Sequence, residues 1–73
     1  MAQVLEATIC VNGQTEPLGA ATVEALLAEK AVDTAQRGIA VALNGAVVPR
    51  AAWRDTALKA GDRVEIVRAR QGG

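Results

Sequence analysis

Two Asn-Gly pairs, Asn12-Gly13 and Asn44-Gly45, each stand between short runs of strand-forming residues. A two-residue type I′ turn needs positive φ at both central positions, and Asn-Gly is the dipeptide that most readily supplies it. Each pair therefore predicts a tight hairpin. Ahead of the first, residues 4–11 alternate. Leu5, Ala7, Ile9 and Val11 fall on one face and Val4, Glu6, Thr8 and Cys10 on the other, the period-2 pattern of a half-buried strand. Residues 14–18 return as its partner and end near Pro17 and Gly19. Around the second pair, Ile39 to Leu43 and Ala46 to Val48 make another hairpin. Pro49, which has no N–H to give a ladder, closes it.

Between the hairpins lies one helical signal. Thr22 is placed to cap a helix by accepting from an unpaired backbone N–H, and Glu24 complements the positive end of the helix dipole. Val23, Leu26, Leu27 and Ala31 form one apolar stripe, with Glu24, Glu29 and Lys30 outside it. Asp33 to Gly38 reads as loop. Residues 50–60 are irregular, with one helical turn expected around Trp53. Gly61-Asp62 marks a turn and Arg63 to Ala69 the last strand. The order ββαβ(β)β, with a single helix against a mixed four- to five-stranded sheet, is an α+β roll and not a series of βαβ units. Its first and last strands can lie side by side at the sheet centre. This is the β-grasp, or ubiquitin-like, architecture, with residues 1–69 as the domain and 70–73 as a flexible C-terminal tail.

Size limits what such a domain can enclose. With 73 residues, a chain buries roughly 60% of its unfolded surface and keeps a thin stability margin. Sixteen of its apolar residues are Ala, so there is little interior for an enclosed active site or cofactor. Eight basic and eight acidic residues balance overall, yet residues 1–36 carry one base against five acids and residues 37–73 seven bases against three acids. A basic C-terminal half suits an acidic partner, unless the two halves intermingle on folding. Without a basic run, and with Trp53 the sole aromatic, nucleic-acid binding is not expected. A single cysteine, Cys10, excludes an internal disulfide and suits a reducing compartment. With no export signal near Met1 and no apolar stretch approaching the ~20 residues that span a bilayer, the expected location is the cytoplasm.

Catalytic chemistry has few residues to draw on. The chain has no His, so neither a His-based triad nor a histidine metal site can be built. Cys10 sits within a strand with nothing in the sequence to lower its pKa. Asp55, Asp62 and Glu65 beside Arg54 and Arg63 read as solvated surface. Neither Asn-Gly pair opens a helix, so neither is a phosphate loop. Trp53 is read as an anchor of the irregular segment, with a role at a partner interface as the alternative.

The tail remains. The last strand delivers Arg70-Gln71-Gly72-Gly73 beyond the sheet. Two glycines in sequence can thread a narrow channel because neither carries a Cβ. The unshielded carboxylate of Gly73 suits attack on the α-phosphate of ATP held by a partner, giving an acyl-adenylate that a sulfur nucleophile can open.

Ile39 to Trp53 (IAVALNGAVVPRAAW) carries Asn44, Val48-Pro49-Arg50 and Trp53 in a pattern that resembles the thiamine-biosynthesis sulfur carriers, the ThiS family. Leu58, Gly61-Asp62, Val64, Ile66 and the Gly72-Gly73 end resemble β-grasp sulfur carriers more broadly, including the molybdopterin synthase small subunit. The Val-Pro-Arg-x-x-Trp segment favours the first. The resemblance implies that Gly73 is adenylated by a ThiF-like adenylyltransferase using ATP and converted to a thiocarboxylate with sulfur from a cysteine desulfurase. The sulfur then passes to a ThiG-like thiazole synthase. The chain would be a carrier, not an enzyme, and would bind no cofactor itself. Gly72 and Gly73 are the functional residues it carries over, and Arg68, Arg70 and Trp53 are the candidate docking residues. Arg68, Arg70 and Gln71 are more polar than the aliphatic or small residues expected before such a terminus. The alternatives are a carrier for molybdopterin or another pathway, and a β-grasp interaction module whose tail does not react.

Overall fold

The computed structural model describes residues 7–35 and 37–68. Strand β1 (Thr8–Val11) turns at Asn12-Gly13, with φ of 51° and 84°, into β2 (Gln14–Pro17), and Val11 pairs with Gln14. Both φ values are positive, as a type I′ turn requires. Strand β3 (Ile39–Leu43) repeats the device at Asn44-Gly45, φ 52° and 88°, leading into β4 (Ala46–Val48). Strand β5 (Arg63–Arg68) closes the sheet.

Five strands lie in the order β2-β1-β5-β3-β4. The last strand is central, parallel to β1 through Cys10↔Arg63 and Val11↔Val64, and antiparallel to β3 from Ile39↔Arg68 to Leu43↔Val64. The expected β-grasp is the fold observed. Alternation turns Ile9, Val11, Val41, Val48 and Val64 onto one face, where they are buried. Helix α1 (Val23–Glu29) covers that face with Val23, Leu26 and Leu27. Ala7 precedes β1 and is exposed, so the buried alternation begins at Ile9. Residues 4–6 of the expected strand lie outside the described residues.

Both ends of α1 have local causes. The Thr22 hydroxyl accepts from the Ala25 N–H at 3.1 Å, a cap whose loss costs about 1 kcal/mol. At the other end, Ala31 adopts φ 59°. Its N–H donates to the Ala28 carbonyl at 3.0 Å, and the Val32 N–H donates to the Leu27 carbonyl at 2.9 Å. This is the Schellman arrangement, normally built on Gly. It corrects the expected apolar stripe. Ala31 has left the helix and is exposed, and Val32, turned back under the last turn, is buried in its place.

Residues 50–60 are more regular than expected. A 3-10 helix runs from Arg50 to Asp55, started by Pro49, whose carbonyl accepts from the Ala52 N–H at 2.8 Å. Thr56 then leaves the helix, its hydroxyl donating to the Ala52 carbonyl at 2.6 Å. The following segment is tied to the start of α1 by Val23 N–H to the Thr56 carbonyl and Leu58 N–H to the Ala21 carbonyl, which brings Leu58 into the core.

Candidate functional site

Because β5 is the strand that leads to the chain's final residues, the site is built from what holds β5. Its start is fixed by the second hairpin. Asn44 accepts from the Arg63 N–H through Oδ1 at 2.9 Å and donates through Nδ2 to Asp62 Oδ1 at 3.0 Å. The other carboxylate oxygen of Asp62 accepts from the Lys59 N–H at 2.8 Å. These two donors, the Asn44 amide first, hold the Asp62 carboxyl below its ordinary range, because each bond favours the charged form. The same turn is tied to β1 by Gly61 N–H to the Thr8 carbonyl and Cys10 N–H to the Asp62 carbonyl.

The first hairpin also reaches β5. Asn12 accepts from the Ile66 N–H through Oδ1 at 2.8 Å and donates through Nδ2 to the Ile66 carbonyl at 3.3 Å. The sequence around Asn12, Asn44 and Asp62 specifies two turns and a surface carboxylate, but not these bonds. The only local hint was that both turns carry Asn, whose amide both donates and accepts, where Gly would serve the backbone equally well.

Arg68 is exposed at the end of β5, opposite Ile39. Arg70, Gln71, Gly72 and Gly73 lie outside the described residues. Trp53 takes the anchor side of its two readings. It is 3% exposed, and its Nε1–H donates to the Val48 carbonyl at 2.9 Å, so its ring offers no surface to a partner. The Arg50 guanidinium stacks 4.7 Å from the centre of that ring and donates to the Thr34 carbonyl. Cys10 is a half-buried free thiol. Among the described residues no three His, Cys, Asp or Glu side chains are grouped to hold a metal ion, and no helix is long and apolar enough to cross a membrane.

The sheet face away from α1 is open. Val47 and Val67 are 76% and 58% exposed there. Ala42 pairs with Val47 and Ala40 with Val67, so small side chains lie beside large ones. The result is a shallow apolar depression edged by Glu65. Two exposed valines over a floor of alanines form a small contact surface next to the strand that carries the tail.

Comparison with known proteins agrees with this architecture. Residues 2–73 match the ThiS family model. A crystal structure of the thiamine biosynthesis protein ThiS from Geobacter metallireducens is similar at 36% identity, with a TM-score of 0.74 over 90% of this chain and 99% of that one. An NMR solution structure of a thiamine biosynthesis protein from the same organism gives 35% identity and a TM-score of 0.73, covering 90% of this chain and 87% of that one. No curated protein matches.

Proposed function

The chain belongs to the ThiS family, and from that membership we propose that it is a sulfur carrier of thiamine biosynthesis whose reacting group is the Gly73 carboxylate. A carboxylate oxygen attacks the α-phosphate of ATP in a ThiF-like adenylyltransferase, and pyrophosphate leaves. A persulfide supplied through a cysteine desulfurase then displaces AMP at the acyl carbon, and a partner thiol cleaves the S–S bond of the acyl disulfide, releasing the thiocarboxylate and forming a disulfide in the partner. The resulting thiocarboxylate gives its sulfur to a ThiG-like thiazole synthase. ATP and the catalytic groups belong to the partners, and this chain contributes a terminus of narrow cross-section.

The observation that carries the reading is the family match extending through Gly72-Gly73, together with the central position of the strand that precedes them. The open face with Val47 and Val67 is the surface by which the adenylyltransferase holds the carrier, with Arg68 and Arg70 as further docking residues. Adding one residue after Gly73 abolishes activation without unfolding the domain. Rescue of a thiamine requirement, and not of molybdoenzyme activity, separates this pathway from that of molybdopterin.

A further inference from the structure

A terminal segment is aimed only as well as the strand that carries it. On one side β5 pairs with β3 from Leu43↔Val64 out to Ile39↔Arg68. On the other side the β1 ladder ends at Val11↔Val64, where β1 turns away and the Asn12 N–H donates to the Val64 carbonyl at 2.9 Å. Residues two apart in a strand direct their backbone groups to the same side. The N–H and carbonyl of Ile66 therefore face the space that β1 has vacated. There they meet the side chain of Asn12, which accepts at 2.8 Å and donates at 3.3 Å. A primary amide presents the donor and acceptor of a peptide group, so Asn12 continues the ladder by one more pair without any further strand.

We propose that Asn12 is a positioning residue: acting through Ile66, it fixes the direction in which β5 ends at Arg68. Ile66 lies two residues before the end of β5. With Asn12 in place β5 is held from both sides out to Ile66, and without it the two-sided hold stops at Val64. The functional consequence rests on the reading of Gly73 as the reacting end. A partner that must receive the terminus in a narrow channel binds a well-aimed tail at lower entropic cost. Asn12 touches no reacting atom, so its effect belongs in binding of the carrier and not in the chemical step.

Two variants separate aiming from folding. Asn12→Gly keeps a residue that adopts positive φ in the turn but removes the amide. Asn12→Asp keeps the acceptor for the Ile66 N–H and places a second acceptor against the Ile66 carbonyl. In Asn12→Gly the Ile66 amide is expected to exchange with solvent about tenfold faster, while Val41 keeps its protection. The backbone order parameters of Val67 and Arg68 fall with it. Asn12→Asp recovers protection at Ile66. In steady-state activation by the adenylating enzyme, Asn12→Gly raises the KM for carrier about fivefold and leaves kcat unchanged. Unchanged exchange and order parameters in Asn12→Gly overturn the proposal, as does uniform acceleration at Val41 and Ile66, which marks a purely global loss of stability. An unchanged KM with a loosened Ile66 overturns the functional consequence. If wild-type carrier is not activated at all, the reading of Gly73 fails instead, and the exchange data still decide the role of Asn12.

Discussion

Asn44 and Asp62 are joined side chain to side chain at 3.0 Å across 18 residues of sequence. The amide that shapes the second hairpin turn thereby also buckles it to the turn from which β5 departs. Since Asn44 Oδ1 accepts from the Arg63 N–H as well, the first residue of β5 is held by a residue of its antiparallel neighbour's turn. The placement of the central strand depends on this small polar cluster as well as on the apolar core.

The cluster sets a pH dependence. Asp62 is held below its ordinary value of 3.8, first by the Asn44 amide and then by the Lys59 N–H. A carboxyl whose folded pKa is depressed contributes stability that is complete above its unfolded pKa and is lost as pH falls through the folded value. Thermal unfolding should therefore show a Tm contribution from Asp62 that is constant from neutrality down to about pH 4 and declines below it. Asp62→Asn lowers the Tm at pH 7 and makes the acid decline shallower than in wild type. A variant whose acid decline runs parallel to wild type assigns that decline to other carboxyls.

Ala31 stands where a helix of this kind ends on Gly. Its φ of 59° places a Cβ in the left-handed region, where L-residues are disfavoured. Ala31→Gly relieves that strain and adds some unfolded-state freedom, for a net gain of about 0.5–1 kcal/mol. In a domain of this size that raises the Tm by about 3–6 °C. Ala31→Val moves the Tm the other way, because a β-branched side chain tolerates positive φ still less.

The open face gives a test of docking separate from the tail. Val47 and Val67 are exposed, so Val47→Lys and Val67→Lys change stability by about 0.5 kcal/mol at most. Each is expected to weaken binding to the adenylating enzyme about tenfold, read by calorimetry or by the KM for carrier. Full affinity in both variants moves the docking surface elsewhere.

Much of this fold is legible in the sequence because its signals are local. Each Asn-Gly pair dictates its own turn, Thr22 caps the helix three residues before the N–H it accepts from, and alternation selects Ile9 and Val11 for the core. Local rules fail where the partner is distant or the residue is atypical. The bond from Asn12 to Ile66 spans 54 residues, and no pattern around Asn12 specifies it. Ala31 fits the spacing of the helical stripe, and its exit leaves Val32, the larger apolar residue, buried in its place. Trp53 is placed by an acceptor at Val48 and by the core, neither visible from its neighbours. For the tail, residue type alone is legible: two glycines after a strand suggest threading and activation, and nothing in the two residues specifies a partner.

The central claim is that Gly73 is acted upon. Its most direct test is the intact mass of the chain after incubation with the adenylating enzyme, ATP and a sulfur source, followed by fragmentation to locate any change. The carrier reading predicts replacement of one oxygen by sulfur, confined to the Gly73 carboxylate and absent without ATP. An unchanged mass under conditions that convert a control carrier would contradict it.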